Sequence, residues 1–128
     1  IADNGFRLAE LLRDSLAKFS DVKVILVPVQ VDKKNPYDNR PSVDLKREEV
    51  QDKVVILVDD VLNSGKTLIY GIKYFLEVRL KALRTVALID RDHKRFPVKA
   101  DYVGLRLSTT LLEHVKVDLG KEMAVYLE

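Results

Sequence analysis

Two adjacent aspartates, Asp59 and Asp60, follow the unbroken apolar run Val54–Val58, and Ser64, Gly65, Lys66 and Thr67 come shortly after them. Adjacent ionised carboxylates repel each other. Beside a buried segment they also cost stability unless something satisfies them. The vicinal hydroxyls of a ribose would do so, as would a divalent metal. Residues 64–67 open an apolar pattern of helical spacing, Leu68, Ile69, Ile72, Phe75, Leu76 and Leu80. The first amides of a helix have no intrahelical partner, and the macrodipole adds roughly half a positive charge there. Gly65 allows close backbone approach, and Ser64 and Thr67 offer hydroxyls, so the turn is a seat for a phosphate. A diol receptor and a phosphate seat on one short loop match the two ends of a ribose 5-phosphate.

Three other readings compete. Gly65-Lys66-Thr67 matches the end of a nucleotide-binding P-loop, but that motif needs a glycine where Asp60 stands. A phospho-accepting receiver domain also ends a strand in paired carboxylates, but that strand is the first of its chain, and here two elements come earlier. The third reading makes the aspartates plain helix caps on an ordinary loop. It would suffice for an isolated Asp-Asp pair. The succession of buried strand, acidic pair, glycine-containing loop and helix favours a binding site.

The elements that must hold this loop follow from apolar periodicity. Leu8, Leu11, Leu12, Leu16 and Phe19 predict a helix over Gly5–Phe19, with Asp3 or Asn4 as its cap. Val22–Val29 and Val54–Val58 read as strands buried on both faces, and Thr85–Ile89 as a third. Asp32–Lys53 is polar, with Pro36 and Pro41, and reads as a long mobile loop of the kind that forms lids. Short apolar runs at Tyr102–Leu105, Val115–Val117 and Met123–Leu127 predict further strands. The order helix, strand, loop, strand, helix, strand implies an α/β fold with a mostly parallel central sheet flanked by helices. In such sheets ligands bind beyond the carboxyl ends of the strands, where Asp59 and Asp60 stand.

Composition limits the alternatives. The 128 residues suit one domain, and 47% are hydrophobic, enough for a core. No apolar run approaches membrane-spanning length, so no membrane role is expected. The absence of cysteine excludes disulfides, thiolate catalysis and sulfur-ligated zinc, and suits a cytoplasmic setting. Twenty-two basic and 20 acidic residues leave a formal charge of +2, no case for nucleic acid. A chain opening at Ile1 just ahead of a helix is expected to lack residues upstream.

The stretch Val54–Leu68, VVILVDDVLNSGKTL, resembles the 5-phosphoribosyl-1-pyrophosphate (PRPP) signature of type I phosphoribosyltransferases, with Ser64 in place of its first threonine. Ala87–Leu105 and Ile1–Ala9 resemble the pyrimidine operon attenuation regulators that double as uracil phosphoribosyltransferases. The likeness covers nearly the whole chain, taken as a single domain over 1–128, though only the PRPP segment is diagnostic alone. It implies that Asp59 and Asp60 accept hydrogen bonds from the ribose hydroxyls and stabilise positive charge on the ring, as the catalytic pair. It implies that Asn63, Ser64, Gly65, Lys66 and Thr67 hold the 5-phosphate, and that Mg2+ rides on PRPP near Asp59 and Asp60. The lid at 32–53 would close over the site, with Lys33, Lys34 and Arg40 as phosphate contacts. The nucleobase would lie against Arg91, Tyr102 and Val103. His93 and His114 read as local or structural histidines.

The chain departs from that pattern at the pyrophosphate loop, where Ala2, Asp3, Asn4 and Gly5 replace the family's Lys and Arg. The family also places a strand ahead of this loop, and its absence would leave a sheet edge open. The resemblance implies a homodimer or higher oligomer that takes PRPP and a nucleobase, or a nucleoside monophosphate. A different class of function stays open: a nucleotide-sensing regulator binding RNA, to which Arg91, Lys94, Arg95 and Lys99 would contribute. A third reading is a degenerate scaffold that pairs with an active partner.

Overall fold

The computed structural model describes residues 1–108, 110 and 113–128. In chain order the elements are α1 (Asn4–Ala17), β1 (Val29–Gln30), β2 (Ser42–Val43), α2 (Arg47–Val50), β3 (Val54–Leu62) and α3 (Lys66–Leu76), followed by β4 (Ala82–Asp90), β5 (Tyr102–Arg106), β6 (Val115–Asp118) and β7 (Ala124–Leu127). The centre is a parallel sheet in the order β3-β4-β5, with Val54 opposite Ala82 and Val86 opposite Tyr102. β1 with β2, and β6 with β7, form two separate antiparallel pairs.

The sheet is covered on both faces, which is why β3 and β4 carry continuous apolar runs. Leu68 and Phe75 of α3 bury against Leu57 and Ala87 in one cluster. Leu8 of α1 packs with Val58, Ile89, Val117 and Leu119 in the other. The C-terminal hairpin therefore joins α1 on its side of the sheet rather than extending the parallel ladder. His114 closes that hairpin by exchanging both backbone hydrogen bonds with Glu128 (2.8 Å each), a structural place.

Three local expectations are corrected. The run Val22–Val29 is not a strand buried on both faces: only Val29 and Gln30 pair, and Val22 and Ile25 are 67% and 64% exposed. Burial on both faces needs neighbours on both edges. Here the segment and the outer edge of β3 face each other across an apolar slot of about 370 Å3 lined by Leu26, Val27, Val54 and Ile56 among others. The stretch from Asp32 to Lys53 is not wholly irregular. It contains β2 and α2, and Val43, Leu45 and Val50 pack onto the core. Neither expected cap bonds the helix start. Asp3 occupies the cap position of α1 at φ 62° without a side-chain cap bond, and Asn4 donates instead to the Val117 carbonyl at 2.9 Å.

Among the described residues no helix is long and apolar enough to cross a membrane.

Candidate active site

The acidic pair lies near the end of β3, which runs two residues past it, to Leu62, before residues 63–65 lead into α3. Asp59 is 6% exposed and Asp60 is half-buried. Both line a cleft of about 240 Å3 together with Asn63, Ser64, Gly65, Lys66 and Thr67. The carboxylates thus share one hollow with the turn at 64–67, and among the described residues no ion pair involves either of them. The Asp60 amide donates to Asp59 Oδ1 at 2.9 Å. Burial and the neighbouring Asp60 carboxylate push the Asp59 carboxyl up to about 7, while Lys33 and the Ile1 amino group pull the other way. A buried anion waiting for positive charge is what a developing ribosyl cation would use.

The turn at 64–67 is braced by residues 95–98. Gly65 adopts φ 86° and caps α3, and a Cβ there would lie 2.5 Å from Val98 Cγ1. The Ser64 carbonyl accepts from the amides of Arg95 (2.8 Å) and Phe96 (3.1 Å). Ser64 Oγ turns back to accept from the Lys66 amide at 3.3 Å. Glycine is required here twice over, by the left-handed backbone and by the packed valine.

Of residues 2–5, Gly5 lies against Asp59. Gly5 sits so close to β3 that a Cβ would be 2.9 Å from the Val58 carbonyl oxygen and 3.2 Å from Asp59 Cα. Ala2 donates its amide to Val29, and the Ile1 ammonium donates to the Val58 carbonyl at 2.6 Å. The four residues carry no cation, but Lys33 lines the cleft and its charge acts on Asp59.

The other lid cations are used differently. Lys34 offers its carbonyl to Lys66 Nζ at 2.9 Å, and that ammonium lies 5.3 Å from the centre of the Tyr37 ring. Asp32 shapes the loop by accepting from the amides of Asn35 and Lys34 and from Asn39 Nδ2. These hold its carboxyl below the usual range. Arg40 pairs with Glu77 and lies over Tyr74, at the end of α3 away from the phosphate turn.

Of the residues expected to face a base, Val103 shares a sheet row with Ala87 and Asp59, two strands or roughly 10 Å from the acidic residue. Tyr102 is one row earlier and largely exposed. Arg91 is 8% exposed, with its guanidinium donating to Asn63 Oδ1 and to the carbonyls of Thr110 and Glu113. Sequence reasoning missed two features, the Arg91–Asn63 contact and Val115 in the cleft wall. Neither has a local signal, because each joins segments far apart in the chain.

Magnesium can be tested against the donors present. Among the described residues no group of three or more His, Cys, Asp or Glu could hold a metal. Two carboxylates alone suit Mg2+ that keeps most of its shell from substrate oxygens and water.

Comparison with known proteins agrees with this geometry. A family model described as phosphoribosyl transferase domain matches residues 1–119. The bifunctional protein PyrR of Streptomyces coelicolor is 31% identical across 95% of this chain and 67% of its own length. That of Alkaliphilus metalliredigens is 39% identical across 76% of this chain and 54% of its own. Among solved structures, hypoxanthine phosphoribosyltransferase from Trypanosoma cruzi with the product IMP superposes with a TM-score of 0.62 at 23% identity, over 82% of this chain and 57% of that one. A hypoxanthine-guanine phosphoribosyltransferase from Bacillus anthracis gives 0.62 at 20%, over 82% and 60%. The chain spans a little over half the length of those structures, and at this identity they establish the fold. By the family model, and by the acidic pair and phosphate turn that carry its signature, the chain belongs to the phosphoribosyl transferase domain family.

Proposed function

We propose that this protein binds PRPP with magnesium and transfers its phosphoribosyl group to a nucleobase, uracil by resemblance, releasing pyrophosphate. The observation that carries the reading is the single cleft shared by the buried acidic pair and the turn at 64–67. The turn would hold the 5-phosphate, and the carboxylates would take the ribose hydroxyls. As the bond from C1 to pyrophosphate breaks and the bond to the base nitrogen forms, the ring gains positive charge in passing, and the proton of the base nitrogen goes to the departing pyrophosphate or to water. Asp59 meets that charge in a setting with little water, where a fixed anion counts most. Bound with the substrate, Mg2+ would neutralise the departing pyrophosphate, with Asp59 and Asp60 as its available protein donors. Lys33 is the candidate cation for the pyrophosphate side, compensating for residues 2–5. Tyr102 and Val103 remain candidates for the base side. A homodimer and a cytoplasmic setting belong to this reading through the resemblance alone. Calorimetry with PRPP and Mg2+, followed by uracil turnover with the full-length protein, tests it. Neither heat nor product would reject it.

A second reading, a nucleotide-sensing RNA-binding regulator of pyrimidine genes with weak or no catalysis, is favoured by the similarity to proteins named bifunctional. The basic cluster offers it little: Arg91 is buried and Lys94 pairs with Asp90 at 3.2 Å, so only Arg95 and Lys99 stand exposed. Filter binding across a salt series separates the two classes, since affinity through phosphates falls steeply with ionic strength.

A further inference from the structure

Arg91 connects the end of β3 and Asn63, which line the cleft, with Thr110 and Glu113 farther along the chain. Its amide donates to the Leu62 carbonyl at 3.1 Å, fixing it to the end of β3. Its Nη1 donates to Asn63 Oδ1 at 3.0 Å, while Nη2 donates to the carbonyls of Thr110 (3.1 Å) and Glu113 (2.5 Å). The Thr110 amide also donates to Glu113 Oε2 at 2.7 Å, and Val115, two residues after Glu113, lines the cleft. A planar guanidinium can serve both sides at once, which a lysine ammonium cannot do with the same geometry.

The chemistry at Asn63 decides what this contact does. A guanidinium only donates, so the amide group facing it must be the oxygen. Turned the other way, the amide would set donor against donor. With Oδ1 turned to the guanidinium, the NH2 group, with its two donor protons, is on the other side of the amide plane and is the end left for a ligand in the cleft that Asn63 lines. Donors are what an anionic ligand needs, and an acceptor in that place would repel it. We propose that Arg91 is a positioning residue for the phosphate side of the cleft, acting by holding the Asn63 amide so that it presents donors to a phosphorylated sugar. The proposal rests on reading the cleft as a ribose 5-phosphate seat.

The test uses the full chain, titrated with ribose 5-phosphate in a calorimeter, with thermal unfolding recorded in parallel. The wild type binds. Asn63→Ala binds about tenfold more weakly, the usual worth of one hydrogen bond to a charged group. Its thermal midpoint falls by only a few degrees, because Asn63 is exposed and Arg91 keeps its carbonyl partners, and binding is read well below that midpoint. Asn63→Asp loses more than that, since a carboxylate then faces the phosphate. Arg91→Met loses about as much as Asn63→Ala, and the double variant is no weaker than the weaker single one. In turnover these variants raise KM for PRPP and leave kcat in place, a split that general loosening of the fold would not give. If Arg91→Met does not fold, Arg91→Lys is read in the same way. Affinity equal to wild type in Asn63→Ala or in the Arg91 variant overturns the proposal, as do losses that multiply in the double variant. Failure of the wild type to bind ribose 5-phosphate removes the reading of the cleft itself, and the proposal with it.

Discussion

Asp59→Asn should stabilise the protein at pH 8 while removing its chemistry. The carboxyl of Asp59 is pushed from 3.8 to about 7, chiefly by burial and then by Asp60. The folded chain therefore binds this proton more tightly than the unfolded chain does. Its contribution to stability is fully present below pH 3.8 and is lost as the pH rises through about 7. Three units correspond to about 4 kcal/mol as a ceiling, which relaxation around the charge reduces to about 2–4 kcal/mol. An asparagine keeps an oxygen for the Asp60 amide and carries no charge, so the variant escapes the loss. For a chain of 128 residues, about 2 kcal/mol moves the thermal midpoint by roughly 7 °C. The assay is urea unfolding of wild type and variant at intervals from pH 4 to pH 8. The two curves should nearly coincide at pH 4 and separate steadily above pH 5, the variant being the more stable. A difference independent of pH, or a wild type more stable at pH 8, would show that Asp59 is not a desolvated anion in the folded protein. Uracil turnover by the same variant should fall by at least a hundredfold, the scale of removing one preorganised electrostatic group.

Other outcomes follow from the same structure. Gly65→Ala must hold a left-handed backbone and displace Val98, at a cost of about 2–4 kcal/mol in denaturant unfolding, and adding Val98→Ala should recover the packing part. Asp90 is 1% exposed, accepts from the Asp92 amide and faces Lys94 and Arg106. Asp90→Ala should cost about 3 kcal/mol, at the low end for breaking a buried pair because Lys94 can turn to solvent. Chelation of magnesium should abolish turnover yet leave the thermal midpoint in place. A midpoint that falls on chelation would reveal a resident metal that two carboxylates do not explain.

Local pattern carried much of the fold. β3 and β4 were legible because continuous apolar runs mark strands covered on both faces, and α1 and α3 because one face of each repeats at helical spacing. The failure at Val22–Val29 comes from the same rule. Apolar residues in a row state that a segment would be buried if it had neighbours, and only the assembled sheet decides whether it has them. Lys33 lies 26 positions before Asp59, and Arg91 lies 28 after Asn63. No periodicity links such pairs, so the cation acting on the acidic pair and the strut behind the phosphate turn could not be read from spacing.

What the sequence determined alone is the chemistry of one continuous segment: two carboxylates near a strand's end, a glycine, hydroxyls and a helix start within nine residues, Asp59–Thr67. Those groups are held together by the covalent chain, so their adjacency needs no tertiary contact. Tertiary structure alone decided how deeply Asp59 is buried, which cation faces it, and which way the Asn63 amide points. Each of those depends on segments brought close by packing, where the energies are set by distance and by the exclusion of water.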